Sequence, residues 1–372
     1  MRLSNRASAI KISGIRRVFE LGATIKDPID LSIGQPDFSI PEIAKAEAHR
    51  AIDEGFTRYT LTQGIPALRG KVAEHYVNHY GVNPEEVMIT AGVAGGVLTA
   101  FFALLEEGDE IIIPEPAFMI YEHWANFLGA KAKKYDTYPD FQPRPEDIEK
   151  LITPKTRLIL ILSPSNPTGS VISEDNLKQI AAIAVKHDIL IISDEIYERF
   201  CYDSEPTTIS KFYKNVLIMG GFSKFAGMPG MRLGFALGPK DLIMEMRKIQ
   251  QFSFVCAPSV SQRIGTVMMD YDFAPTLARY RTKRDIIFNG LKDRFKMTKP
   301  AGAFYAFPEA PWGTSTQFVE FAIKNKVLVI PGKEFSERDT HFRISFATED
   351  CILKKGIDIL NSLADNPPAE FK

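Results

Sequence analysis

Lys224 ends the segment Gly220-Gly221-Phe222-Ser223-Lys224, directly after the apolar run Val216-Leu217-Ile218-Met219, and Arg232 follows eight residues later. A lysine amine is a nucleophile only when neutral, and burial or a neighbouring cation lowers its pKa. A buried strand that ends in small residues would deliver such an amine to the floor of a site, where it can form an imine with an aldehyde. Lysine after a strand is ordinarily a solvated loop residue, because Lys is rarely buried without a partner. The weight of this one rests on three other segments.

Asp194 and Tyr197 lie in Ser193-Asp194-Glu195-Ile196-Tyr197, after the run Ile189-Leu190-Ile191-Ile192. So short and apolar a run reads as a buried parallel strand. Asp194 would sit at its carboxyl end, where open α/β sheets place ligands. A carboxylate there can keep a pyridine nitrogen protonated, which makes the ring an electron sink; the ordinary alternative is a helix cap. Asn166 lies in Ser163-Pro164-Ser165-Asn166-Pro167-Thr168-Gly169, after Arg157 to Leu162. Two prolines and a glycine make a rigid loop, and Asn offers both donor and acceptor. Thr90-Ala91-Gly92-Val93-Ala94-Gly95-Gly96 joins the strand-like Val87-Met88-Ile89 to a helical stretch. Small residues at a helix start leave backbone N–H groups free to cradle a phosphate. The glycine spacing fits neither a Walker loop nor a dinucleotide fingerprint.

In order and spacing these strings resemble the class I and II aminotransferases, pyridoxal-phosphate enzymes of the aspartate aminotransferase fold type. Further strings agree: Ser32-Ile33-Gly34-Gln35-Pro36, Tyr59 followed by Gly64 to Arg69, Pro114-Glu115-Pro116-Ala117-Phe118, Gly302-Ala303-Phe304-Tyr305 and Phe342-Arg343-Ile344-Ser345. The resemblance spans about Leu31 to Phe346. It implies pyridoxal 5'-phosphate as cofactor, with Lys224 bonding it covalently and later moving the proton. Asp194 would pair with the pyridinium nitrogen, and Asn166 and Tyr197 would bond the ring hydroxyl oxygen. Phe118 would stack on the ring. The backbone at Val93 and Ala94, the Ser223 hydroxyl and Arg232 would hold the phosphate. Tyr59 would reach the phosphate of a neighbouring subunit, which implies a homodimer. Gly34, Asn166 and Arg343 would bind the substrate; a guanidinium fork matches a carboxylate bidentately, which Lys does not do.

Two positions depart from the family pattern. Where some aspartate aminotransferases carry a Lys that reads the substrate's distal carboxylate, this chain has Ala94. Where some members carry a phosphate-binding Ser, it has Gly221, which leaves more of the phosphate to Ser223 and Arg232. Strict acidic specificity is therefore not expected, and the amino acid could be acidic, aromatic or aliphatic. Ile15, Arg16, Tyr121 and Phe254 are candidates to face the substrate.

Composition fits an ordinary globular enzyme. The chain has 372 residues, 45% hydrophobic and 24% charged, enough for two domains and a large core. A net charge of −1 gives no broad attraction to nucleic acid or to an acidic membrane. The segment Met1 to Lys11 has no apolar signal core, and no apolar run reaches membrane-spanning length. Cys201, Cys256 and Cys351 are far apart, as suits a reducing cytoplasm. His75 and His79 share one face of a helix, but Tyr76 stands where a zinc-protease helix has Glu, so no metal is expected.

The elements that must position these residues alternate. Val87–Thr90, Glu110–Ile113, Leu158–Leu162, Ile189–Ser193, Val216–Met219 and Leu233–Leu237 read as strands, with helices between most of them. That pattern predicts an α/β fold: a large domain with a mainly parallel sheet flanked by helices, plus a smaller α+β domain. The last two strands, with the lysine between them, could pair differently from the rest. An N-terminal arm, 1-30, would join the small domain; 31-265 would hold the cofactor; 266-372 would form the small domain. In the small domain Ala303–Phe307, Val327–Ile330 and Phe342–Phe346 read as strands and Cys351 to Leu363 as the last helix. The tail from Ala364 should fray.

The expected activity is transfer of an amino group between an L-amino acid and a 2-oxo acid such as 2-oxoglutarate. A pyridoxal-phosphate carbon-sulfur β-lyase would share Lys224, Asp194 and Arg343 and would release pyruvate. A non-catalytic cofactor-binding regulator would ordinarily carry a DNA-binding segment, for which there is no room before Leu31.

Overall fold

The computed structural model describes residues 3–10, 14–22 and 24–371. Among these the strands are β1 (Ile29–Asp30), β2 (Glu86–Thr90), β3 (Glu110–Glu115), β4 (Lys131–Asp136), β5 (Thr156–Leu162), β6 (Leu190–Asp194), β7 (Val216–Gly221) and β8 (Gly234–Gly238), followed by β9 (Tyr305–Ala306), β10 (Val327–Leu328), β11 (Ile330–Pro331) and β12 (Phe342–Ser345). The large sheet has the order β2-β8-β7-β6-β5-β3-β4. Strand β8 is antiparallel to both its neighbours, and every other pairing in the sheet is parallel.

The apolar runs form strands because both their faces are covered. Leu158, Leu160 and Leu162 pack with Ile111, Ile113 and Ile192 in one cluster. Ile159 and Ile161 pack with Ile112 and Ile191 in the cluster on the opposite face. The two-residue side-chain period of a strand explains this division, and burial on both faces explains the lack of polar alternation. Strand β4 escapes the sequence reading for the converse reason. Its residues, Lys131-Ala132-Lys133-Lys134-Tyr135-Asp136, are mostly charged, and it pairs only with β3 at the sheet edge, where charge discourages pairing with another chain.

All strands of this sheet except β8 point their carboxyl ends to one edge. Reversal of β8 brings its beginning, Gly234, to the same edge, opposite Thr90 of β2 and Gly221 of β7. The helix Gly92–Leu104 starts there too. The unusual pairing expected for the strands around the lysine is thus an antiparallel one.

Two smaller sheets involve the C-terminal part. Strands β11-β12-β9 form an antiparallel three-stranded sheet, and β1 pairs in parallel with β10. The single strand expected over Val327–Ile330 is divided, its first half serving β1 and its second half serving β12. The last helix runs Asp350–Asp365. The tail differs from its expected fraying: Phe371 stacks on Trp312 with ring centroids 5.0 Å apart. Aromatic area buried at a chain end ties it down, whatever its polar neighbours.

Truncation after Asp365 removes that stack and should lower Tm by about 1–4 °C, from a loss of about 1–3 kcal/mol spread over the large unfolding entropy of a chain this long. Differential scanning calorimetry checks it; an unchanged Tm would mean that the tail contributes nothing.

Candidate active site

The carboxyl edge of the large sheet opens into a cavity of about 300 Å³. Its walls include Gly34, Val93, Ala94, Phe118, Asn166, Asp194, Tyr197, Ser223, Lys224, Arg232 and Arg343. Sequence elements as far apart as Gly34 and Arg343 thus converge. Of the residues assigned to the cofactor or the α-carboxylate above, Tyr59 is not brought here; it lies on the surface, 83% exposed. Ile15 and Tyr121 also line the cavity, whereas Phe254 does not. Phe254 instead packs over the helix start, where a Cβ on Gly95 would lie 3.6 Å from its ring. The Arg16 side chain is outside the described residues.

Lys224 follows β7 and donates from Nζ to the Gly34 carbonyl at 2.7 Å. Its surface is partly accessible, yet protein surrounds the amine. Burial lowers its pKa to about 8, the Arg343 and Arg232 cations push the same way, and Asp194 opposes them. Gly34 must be glycine, because a Cβ there would lie 2.7 Å from the Tyr305 hydroxyl.

Asp194 is the last residue of β6 and is buried. Its Oδ1 accepts from Ile196 N at 3.0 Å, and its Oδ2 accepts a short bond from the Tyr121 hydroxyl. Burial nevertheless raises its pKa; the two hydrogen bonds and Lys224 only reduce that effect. Such a carboxylate would gain from a cation placed in the cavity. Behind it, Glu195 is buried among hydroxyls. Its Oε1 accepts from Ser193 at 2.8 Å and Thr208 at 2.7 Å, its Oε2 accepts from Tyr76 at 3.2 Å, and burial pushes it up to about 8.

Arg343 in β12 is 2% exposed and has no carboxylate partner among the described residues. Its Nη1 donates to Asn166 Oδ1 at 3.0 Å and its Nη2 to the Ser32 carbonyl at 2.7 Å, while Nε has no partner. The guanidinium carbon lies 4.6 Å from the Tyr305 ring centre and 4.9 Å from that of Phe335. Stacking orients the plane of the fork. Asn166 is fixed in turn by its loop, where Ser165 N bonds Ser170 O and Gly169 N bonds Ser165 O, each at 2.9 Å. Because the Asn166 oxygen accepts from Arg343, its amide hydrogens are left to point elsewhere. The Tyr197 and Tyr305 hydroxyls bond each other at 2.8 Å, and burial keeps both phenols protonated.

The helix Gly92–Leu104 has no side-chain cap: Ala91 precedes it, and Gly92 has φ +72°. Uncapped N–H groups and the helix dipole favour an anion here. Gly234 of β8 presses against this turn, where a Cβ would lie 2.6 Å from Gly92 C and 2.8 Å from Val93 N. A side chain at Gly221 would be crowded by Gly234 Cα and Leu233 O, both at 3.1 Å. Ser223 and Arg232 complete this end of the cavity.

The amino-acid sequence from 26 to 358 matches the profile of the family described as aminotransferase class I and II. The chain belongs to that family. It is 35% identical to the probable aspartate aminotransferase of Methanocaldococcus jannaschii, over 97% of this chain and 99% of the relative. It is 34% identical to aromatic-amino-acid aminotransferase 2 of Thermococcus litoralis, over 96% and 97%. Aspartate aminotransferase of Thermus thermophilus, solved with maleate, superposes with a TM-score of 0.92 at 32% identity, covering 98% of this chain and all of that one. This aminotransferase is an enzyme that transfers nitrogenous groups.

Sequence reasoning misses the contacts of Tyr305, Tyr121, Phe335 and Glu195. Tyr305 sits in a family string and Tyr121 is among the candidates, but their hydroxyl partners lie 108 and 73 residues away. The His75 and His79 rings are both engaged: His75 Nε2 bonds Glu198, 123 residues away, at 2.8 Å, and His79 Nδ1 bonds the His75 carbonyl of its own helix at 2.9 Å.

The lowered Lys224 pKa predicts how an amine-acylating reagent should label the cofactor-free protein. A depressed pKa means that the neutral amine appears as pH rises through about 8. Labelling at Lys224, read by peptide mass mapping, should show its inflection there. In Arg343→Gln the inflection should move up, since a repelling cation is gone. An inflection at the ordinary lysine position in the parent protein would contradict this electrostatic account.

Proposed function

We propose that this aminotransferase works with pyridoxal 5'-phosphate, bonded to Lys224, in moving an amino group between an L-amino acid and a 2-oxo acid. The observation that carries the reading is the pairing of a buried, carboxylate-free Arg343 with a lysine amine of lowered pKa in one cavity. The residues fit the group. An uncapped helix start with close glycine backbones suits a phosphate, the buried Asp194 is hydrogen-bonded by the neutral Tyr121 hydroxyl and Ile196 N, and Arg343 Nε is unpartnered.

In this reading Val93 N, Ala94 N, Ser223 and Arg232 hold the phosphate, and Phe118 covers the ring face. The Asn166 amide and the Tyr197 hydroxyl donate to the ring oxygen. Asp194 pairs with the ring nitrogen, and Tyr121 and Ile196 N keep its carboxylate aimed. When bound, the cofactor supplies the electron sink that makes the substrate's Cα–H acidic. Arg343 takes the substrate's α-carboxylate with Gly34 and Asn166 beside it; two parallel N–H···O bonds would fix the Cα above Lys224. Lys224 Nζ, once the incoming amino group has replaced it on the cofactor, would accept the Cα proton as general base and return it as general acid. Its pKa near 8 suits both roles close to neutral pH.

Tyr59 belongs to a partner in this reading, which makes the enzyme a homodimer. Tyr59, Leu61 and Phe252 are exposed at 83%, 56% and 88%. Gln262 bonds Thr60, and Gln250 bonds Thr62 O, so the Tyr59 loop is fixed to the helices beside Phe252. We also propose a two-domain division, with 31-265 carrying the large sheet and 266-372 the three-stranded one. The arm 1-30 would join the latter, in keeping with the β1–β10 pairing. A cytoplasmic location is in keeping with three free cysteines, and among the described residues no helix is long and apolar enough to cross a membrane.

An absorbance scan of the purified enzyme with added L-amino acids tests the activity. The visible cofactor band should convert with amino acids and recover with 2-oxoglutarate; conversion failing while pyruvate accumulates would favour a β-lyase. Asp194→Ala should slow the half-reaction by at least about 10²-fold while retaining part of the bound cofactor. Near-normal rates would remove Asp194 from its role. Gly234→Ala should weaken cofactor binding at least about 10-fold without unfolding, because the added Cβ displaces the Gly92–Val93 backbone; equilibrium dialysis of the cofactor measures it.

A further inference from the structure

Beside the Lys224 cavity lies a second hollow of about 640 Å³. The two share Ile15, Gly34, Phe118, Ile120 and Pro229, so one continues into the other. Beyond the shared wall the hollow is lined by Ile10, Ile33, Met119 and Trp124. Trp124 is held as part of that wall by edge contacts to Phe102 and Phe127, with ring centroids at 6.3 and 5.4 Å. The polar residues there are Ser32, Gln35 and His123. Gln35 and His123 border solvent with Ile10, and so mark where the hollow opens.

The placement of charge separates substrate classes. Among the described residues that line either space, the lysines and arginines are Lys224, Arg232 and Arg343. Under the proposed function all three are already engaged, Lys224 as the reacting amine, Arg232 on the phosphate and Arg343 on the α-carboxylate. An acidic side chain entering the hollow would lose water and meet no described lysine or arginine, which is costly. A large apolar side chain would lose water favourably against isoleucine, methionine and indole surface. Ala94 in the first cavity's wall adds no charge to this balance.

We propose that this annex receives the side chain of the amino donor, and that the preferred donor is a bulky apolar or aromatic L-amino acid. The inference rests on the aminotransferase reading of the Lys224 cavity. Gly34 stands at the junction: its carbonyl accepts from Lys224 and its residue borders both spaces. A substrate held by Arg343, with its Cα at Lys224, meets the annex along the Gly34, Phe118 and Ile120 wall. Trp124 then contacts the far end of the side chain, and Met119 sets the width.

Two readouts test this. In the first, kcat/KM of the holoenzyme is compared for phenylalanine, leucine, alanine and aspartate. Phenylalanine or leucine should exceed aspartate by at least about 10-fold, since each added methylene in an apolar pocket contributes about 10–200-fold at most. Met119→Trp should lower the phenylalanine-to-alanine ratio at least about 5-fold, the change of a narrowed annex. In the second, Trp312→Phe leaves Trp124 as the sole tryptophan, since the chain has two. Its fluorescence should respond to the unreactive 3-phenylpropionate with a Kd at least about 10-fold below that for succinate. Conversion with aspartate and alanine but no gain for phenylalanine, or tighter binding of succinate, overturns the annex alone. No cofactor conversion with any amino acid overturns the aminotransferase reading and this inference with it.

Discussion

Arg343 is buried with its two terminal nitrogens on an amide oxygen and a backbone carbonyl, its Nε unpartnered, and aromatic rings near its plane. Taking a guanidinium out of water without a carboxylate is costly, and neutral acceptors recover only part of that cost. The surrounding structure is therefore organised to hold it. The Asn166 loop is pinned by its own turns, Ser32 sits on the segment that follows β1, and Tyr305 and Phe335 come from the small sheet and its flank. The uncompensated positive potential also acts on Lys224, whose ammonium it disfavours. One cation without a carboxylate partner among the described residues thus suits an anion and lowers the pKa of the neighbouring amine.

The other charged end of the cavity depends on a reversed strand. With β8 antiparallel in an otherwise parallel sheet, Gly234 meets the start of the helix Gly92–Leu104, and Arg232 reaches the same edge as Lys224. Three glycines, Gly92, Gly221 and Gly234, let those backbones approach. The same approach leaves little room for a side chain at position 221, where a Cβ would lie 3.1 Å from Gly234 Cα. The backbone N–H groups, the Ser223 hydroxyl and the Arg232 guanidinium at this end form a set suited to phosphate.

Asp194 and Glu195 show how neighbouring carboxyls take different roles. Asp194 ends β6 and Glu195 lies just past it. Asp194 faces the cavity with Tyr121, while Glu195 turns to Ser193, Thr208 and Tyr76. Burial raises the pKa of both. Only Asp194 lines the space that a cationic partner could enter.

Local sequence was enough to single out residues that the fold gathers around one cavity. Lys224, Asp194, Asn166 and Arg343 each stand at a strand end or in a rigid loop, and apolar runs of strand length reported the central sheet. The charged edge strand β4 carried no such signal, because an edge exposed to water needs no apolar pattern. The split of β10 from β11 was hidden for a related reason: each half is only two residues long, and its partner decides it. Tertiary structure alone decided what each group touches. Arg343 finds Asn166 across 177 residues and Ser32 across 311, distances over which no periodicity speaks. It also decided that Tyr59 stands apart from its own chain's cavity, that Phe371 docks on Trp312, and that an apolar annex adjoins the lysine. Such features arise where separately specified surfaces meet, so they depend on packing geometry that a linear pattern does not encode.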